Sequence, residues 1–243
     1  MKSMIKFVIV LSLVLMGSGE AVAQWGSKKV KGNGNVTSRT VNTSNYDAIK
    51  NIGSIDVHLK KGTEGNIVVK TDENLQEYII VEVVNNALKI RTENNVSLST
   101  KNGIHVYVPF NDISEVSLTG SGDVDTEDTI NGDQLKLTLT GSGDVDLAVG
   151  ANTVNATLTG SGDVAVRGTT TNLNLRITGS GDFNGNDLRS QNTEVTVSGS
   201  GDAIVYASKF LKARVHGSGD VVYKGNPEKR DTNVSGSGRI SMN

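Results

Sequence analysis

No cysteine occurs in the 243-residue sequence, which excludes disulfides, thiolate metal sites, cysteine nucleophiles and lipid attachment through an N-terminal cysteine. Proline occurs twice, and aromatic residues make up only 4% of the chain. The formal net charge is −2, so the basic footprint that a nucleic-acid binder needs to displace counterions is missing. No apolar run after the first 16 residues is long enough to cross a bilayer. What the sequence has in excess is glycine, 28 residues, against an ordinary share of about 7%.

The N-terminus reads as an export signal, residues 1–23. Lys2 and Lys6 supply the charged start, Phe7 to Met16 the apolar run, and Ala21-Val22-Ala23 the small-residue cleavage site. Ten residues at 1.5 Å each reach about 15 Å, half of a hydrocarbon core of about 30 Å. The expectation is a mature chain from about Gln24, exported and with no membrane span after cleavage. Export without cysteine suits a bacterial envelope protein.

A repeat governs the second half. Gly-Ser-Gly begins at Gly120, Gly141, Gly160, Gly179, Gly199, Gly217 and Gly236. The second glycines of the first six are Gly122, Gly143, Gly162, Gly181, Gly201 and Gly219, followed by Asp123, Asp144, Asp163, Asp182, Asp202 and Asp220; Arg239 takes that place in the seventh. Two residues before each turn stands an aliphatic residue, from Leu118 through Leu139, Leu158, Ile177, Val197 and Val215 to Val234. Thr, Ser or His directly precedes the glycine. Val124, Val145, Val164, Phe183, Ala203 and Val221 follow the aspartates. Period-two alternation on both sides predicts two short strands around each turn, with glycine for the φ > 0 that tight turns demand.

Two topologies fit. A closed antiparallel meander would need about fourteen strands, and a membrane barrel needs strands of about 9–11 residues with an apolar outer face; these are near five residues and face outward with Thr and Asn. A β-solenoid stacks like on like, which identical columns favour, and about 19 residues is a plausible coil. Seven coils at about 4.8 Å make a rod of about 34 Å. Arg230 and Thr232 replace the aliphatic residues of earlier coils, the signature of a polar terminal cap. Residues 24–115 are β-rich but aperiodic, with alternation at Ile55-Val57-Leu59, Ile67-Val69 and Ile104-Val106-Val108. A hairpin is expected around Asn85-Asn86 and a helical turn over 72–79. The expected organisation is therefore one continuous solenoid, with irregular N-terminal coils over 24–115 and the repeat over 116–243.

The Arg39…Tyr46-Asp47-Ala48-Ile49 lead-in, the Asp72-Glu73-Asn74-Leu75 segment and the Gly-Ser-Gly-Asp series resemble the head GIN domain family of auto-transporter adhesins from Bacteroidetes-type bacteria, over roughly residues 36–243. The resemblance implies a right-handed parallel β-helix, a two-sheet solenoid related in shape to pectin lyases, with Gly-Ser-Gly turning between the sheets. It also implies a role in cell adhesion and trimeric assembly, and it brings no catalytic residues.

For chemistry, the aspartate column is the sharpest candidate. Stacked carboxylates about 4.8 Å apart repel by about 0.9 kcal/mol per neighbour even at water's dielectric, so something local offsets them. Hydrogen bonds from turn N–H groups would do so; a row of Ca²⁺ ions is the alternative, although the nine-residue calcium-binding repeat does not align with this motif. His58, His105 and His216 show no metal-ligand spacing. Lys136, Arg167, Arg176, Arg189 and Arg214 lie at differing offsets, so no local acid–base cluster of a hydrolase or lyase emerges. No cofactor is indicated. The expected function is an exported, non-catalytic binding or adhesion module that presents a repetitive polar surface to a polysaccharide or a cell-surface protein. A polysaccharide-degrading enzyme on a β-helix and a periplasmic structural protein are the alternatives; an aperiodic acidic–basic cluster in a groove would favour the enzyme.

Overall fold

The computed structural model of the protein describes residues 27–243, so the export signal expected over residues 1–23 lies outside the described residues. The described chain is nearly all-β, with 67% of it in strands and 3% in helix, stacked as a solenoid of about seven turns. The columns read from the sequence are rungs of one parallel ladder. Leu118 pairs with Leu139, Leu139 with Leu158, Leu158 with Ile177, Ile177 with Val197, and Val197 with Val215. Across the turn, Val124, Val145, Val164, Phe183, Ala203 and Val221 pair in the same way in a second ladder. All these side chains are buried, and together they form one continuous core between the two ladders. In the middle coils the strands run on around the bend: Val145–Gly160 and Val164–Gly179 are each 16 residues long.

The turn explains why two glycines are needed, each for its own reason. The first glycine of every turn has φ between +122° and +140°, a region closed to most side chains. The second has no such requirement. A Cβ on Gly143, Gly162, Gly181 or Gly201 would overlap the carbonyl oxygen of the second glycine one coil below, so close stacking alone forbids a side chain there. That approach is made by hydrogen bonds: Ser142 N and Gly143 N both donate to Gly120 O, at 2.9 and 3.2 Å, and each later turn repeats the pair.

One more turn of this type lies outside the seven motifs. Gly53-Ser54-Ile55-Asp56 sits directly below Gly120-Ser121-Gly122-Asp123, with Gly53 at φ +117° and its carbonyl accepting from Ser121 N and Gly122 N. Ile55 stands where the later coils have glycine, and its side chain is fully buried. Below it no turn of the same kind is stacked, because residues 93–104 bow away from the stack.

The N-terminal region is built differently. Ala48–Gly53 lies between Glu115–Gly120 and Ala87–Thr92, and Asp56–Lys61 lies between Val124–Thr126 and His105–Phe110. The coil made by residues 87–110 therefore lies outside the coil made by 48–61, although it comes later in the chain. Antiparallel strands close this end: Ile79–Val84 pairs with Ala87–Thr92 through a turn at Asn85 and Asn86, both at positive φ, and Asn66–Asp72 pairs with both Val36–Asn42 and His105–Phe110. Glu73–Tyr78 is a 3-10 helix that buries Leu75 and Gln76. Tyr46, in the lead-in, is buried; its hydroxyl donates to Pro109 O, and burial, helped by Glu64, raises its pKa. At the opposite end, Lys229–Gly236 is exposed along its whole length, and Arg230 Nη1 donates to Tyr223 Oη at 2.7 Å.

Core columns contain polar exceptions, among them Thr193 and Asn51. Thr193 pairs with Leu173 and Leu211 and is fully buried, with its hydroxyl 2.6 Å from Tyr206 O. Asn51, opposite Leu118, donates to Ile55 O at 2.6 Å and so braces the one turn that lacks its second glycine.

Candidate functional site

The structure brings Asp123, Asp144, Asp163, Asp182, Asp202 and Asp220 into one line. The hydrogen bonds that offset their repulsion come from the next coil rather than from the same turn. Asp144 N donates to Asp123 Oδ1 at 3.0 Å, Asp163 N to Asp144 Oδ1 at 3.0 Å, and Asp182 N to Asp163 Oδ1 at 2.9 Å. Asp202 N and Asp220 N continue the series at 2.7 Å each. In the other direction, Val124 N donates to Asp144 O, and the residue after each later aspartate does the same. One oxygen of each carboxylate is thus spent on the stack.

Both ends of the line are terminated. Asp123 N donates to Asp56 Oδ1 at 3.2 Å, which makes Asp56 the first member. At the far end Arg239 donates to Asp220 twice, through its backbone N at 2.8 Å and its guanidinium at 2.7 Å. That guanidinium holds the Asp220 carboxyl below the usual carboxylate range, and the carboxylate in turn raises Arg239. Arg239 thus stands at the aspartate position of its coil and donates to the carboxylate below through both backbone and side chain.

Beside the line runs a shallow groove of about 580 Å³ whose floor is Ala165, Asn184, Ile204 and Val222. On the other ladder, Thr119, Thr140, Thr159, Thr178, Ser198, His216 and Ser235 form an outward hydroxyl-rich column, with Ser117, Thr138, Thr157, Arg176, Thr196, Arg214 and Asn233 next to it. Outward Thr fits the strand environment. Next to these, Lys136–Glu115 at 3.2 Å and Lys212–Glu194 at 3.1 Å pair along the face, and Arg214 pairs with Asp231 at 2.5 Å. These charges neutralise one another locally.

The N-terminal end carries an aperiodic cluster of titratable side chains. His58 and His105, 47 residues apart in sequence, become neighbours because His105–Phe110 pairs with Asp56–Lys61. His58 Nδ1 lies 2.6 Å from Asp125 Oδ2, His58 Nε2 lies 3.1 Å from His105 Nδ1, and His105 Nδ1 lies 3.6 Å from Asp56 Oδ2. No spacing rule reveals this cluster, since the pairing depends on an irregular excursion of the chain; His216 stays isolated and exposed. Nearby, the bowed segment 93–104 leaves a cleft of about 790 Å³ lined by Ile52, Asp56, Arg91, Asn95, Ser97 and Thr100 among others. The segment is fastened at its far side, where Thr100 and Asn102 donate to the Asp72 carboxylate and so lower its pKa, the Thr100 bond most. Among the described residues, no three His, Asp or Glu side chains converge as a ready set of metal ligands, and no helix is long and apolar enough to cross a membrane.

The chain was compared with known proteins. It resembles the structure of a putative adhesin from Bacteroides fragilis, with 22% identity and a TM-score of 0.82 over 88% of this chain and all of the other. It also resembles a putative lipid binding protein from Parabacteroides distasonis, with 26% identity and a TM-score of 0.74 over 89% of this chain and all of the other. A putative adhesin from the same organism follows, with 23% identity and a TM-score of 0.73 at the same coverage. No curated protein matches. The family profile described as putative auto-transporter adhesin, head GIN domain matches residues 45–227, and the chain belongs to that family.

Proposed function

We propose that this protein is an exported, non-catalytic binding and adhesion module whose repeated outer columns engage an extended ligand, a polysaccharide or a cell-surface protein. The observation that carries this reading is the outward face from Thr119 to Ser235, which places Thr or Ser directly before the turn in every coil of the repeat but the one with His216, beside a column that includes Arg176 and Arg214. A ligand with its own repeat can bind such a face through many weak contacts whose combined strength exceeds that of any one. Membership of an adhesin family supports the reading, and so does the engagement of one oxygen of each column aspartate by the backbone of the next coil.

The test is an array of host and bacterial polysaccharides probed with residues 24–243, with calcium or with chelator. The expected result is binding that chelator leaves unchanged and that the double substitution Arg176→Ala/Arg214→Ala weakens. Shortened or unsaturated sugars would overturn the non-catalytic claim, and silence on the array and on intact cells would favour an envelope structural role. The apolar floor of the groove, Ala165, Ile204 and Val222, favours a second reading, an acyl-bearing ligand, in keeping with the lipid-binding description of the 26%-identical Parabacteroides distasonis protein. Acylated probes on the same array separate the two.

A further inference from the structure

The histidine cluster carries an inference that does not depend on what the repeated face binds. A neutral imidazole has one N–H and one lone pair. The pair makes three contacts, and each of them needs a proton. His58 Nδ1 faces the Asp125 carboxylate at 2.6 Å, and a carboxylate only accepts. His105 Nε2 faces Asn102 O at 3.2 Å, which also only accepts. Between the rings, His58 Nε2 meets His105 Nδ1 head-on at 3.1 Å, a hydrogen bond when one of the two nitrogens carries a proton. Two neutral rings bring two protons, so every neutral arrangement leaves one pair of acceptors facing each other.

We propose that His58 and His105 hold three protons between them, one beyond neutrality, and that this extra proton latches the bowed segment 93–104 to the stack. The charges around the pair suit a single cation. Asp125 touches His58, and the Asp56 carboxylate lies 3.6 Å from His105 Nδ1. Asp146, next to Asp125 in the ladder, is paired with Arg167, and Glu127 is paired with Lys60. Lys70, opposite His105 in the antiparallel pairing, works against any further proton. The Tyr107 ring lies over His58 with centroids 5.0 Å apart. A fourth proton would set two N–H groups against each other at the inner contact.

Asn102 is the point of attachment. Its side chain donates to Asp72, and its carbonyl accepts from His105 Nε2. Gly103 lies so close to the His105 ring that a Cβ there would meet it. As pH rises the pair loses its third proton, and the contact given up is the longest, at Asn102 O. Two acceptors then face each other, and the segment that walls the cleft of about 790 Å³ loosens. Asp72 lets go only in stronger acid, because its carboxyl is held below the usual range, chiefly by Thr100. The latch is therefore a pH-dependent closure of the cleft, carried by the two histidines.

Nitrogen-15 imidazole spectra of residues 24–243 across a pH series count these protons. The pair is expected to pause at three protons on its four nitrogens, whereas two independent rings would pass from two to four without a plateau. Hydrogen exchange reads the latch itself. The Gly32 amide donates to Ser99 O and the Asp56 amide to Ile104 O, so both report on the segment. Their protection, corrected for the intrinsic rate, should fall about 2–10-fold as the third proton leaves. Asp125→Asn offers His58 Nδ1 an amide N–H, so two protons then satisfy all three contacts and the fall should vanish. His58→Phe lets His105 keep its own proton on Nε2 and should abolish the fall as well. Circular dichroism melting checks that each variant folds, and either one suffices. Passage from two to four protons without a plateau, or a fall in protection equal in the parent and the folded variants, would overturn the proposal.

Discussion

The coils from Glu115 onward and the segment before them solve the same problem by different means. In the repeat, each coil is a template for the next: a glycine with positive φ, a glycine that clears the carbonyl below, and an aspartate that accepts the N–H above. These contacts are all with the neighbouring coil, so the same few residues recur. The N-terminal segment needs an end as well as a stack. It places residues 87–110 outside residues 48–61, closes the sheets with antiparallel strands, and replaces one turn by the bowed segment 93–104. The difference shows that repetition is sufficient for building the rod, whereas terminating it takes unique residues, and the unique residues are where a histidine cluster and a cleft arise.

The comparison breaks most sharply at the second glycine. Gly162→Ala would push a methyl group into Gly143 O, and a loss of about 4 kcal/mol or more is expected. Gly132→Ala meets nothing closer than Gln134 O at 4.0 Å, so it should be neutral or stabilising by about 0.4–1 kcal/mol. Urea unfolding of both variants checks this pair, and equal effects would refute the stacking argument.

Next in size is Ile55→Gly. It restores the motif in the first turn yet removes a fully buried side chain. A loss of about 2–5 kcal/mol is expected by analogy with large-to-small core changes, measured in the same way. A gain would mean that the two regions share one turn rule after all.

Asp163→Ala removes the acceptor for Asp182 N. An exposed rung of this kind should cost about 0.5–1.5 kcal/mol, with Asp163→Asn milder because an oxygen remains. Hydrogen exchange at the Asp182 amide should quicken in the alanine variant.

Smallest are the acid effects. Asp72 in the N-terminal clasp and Asp220 at the C-terminal end both have carboxyls held below the ordinary value of about 3.9. Their contribution is in place above that value and is lost as pH falls through the lower folded one. Asp72→Asn should therefore be less stable than the parent at neutral pH, and the gap should narrow below about pH 4. A constant gap across an acid melting series would remove Asp72 from the account.

Much of the rod was legible because a stacked repeat writes its contacts as columns. Leu118 predicts Leu139, and Gly120 predicts Gly141. The turn at Gly53-Ser54-Ile55-Asp56 differs from the motif by one residue, and a search allowing one mismatch finds it. What acts between coils rather than within a turn, such as Asp163 Oδ1 accepting from Asp182 N, follows only once the close approach of the glycines is known. The meeting of His58 with His105 was not legible. It depends on where an aperiodic excursion rejoins the stack, and nothing in the local sequence of either histidine specifies that register.

The central claim is that the aspartate row serves the stack. The most direct measurement is the thermal midpoint of residues 24–243 in millimolar calcium and in chelator. The account predicts the same midpoint in both, because the carboxylates are already engaged by backbone N–H groups of the next coil. A saturable rise with calcium that disappears in Asp144→Asn/Asp163→Asn would contradict it and make the row an ion site.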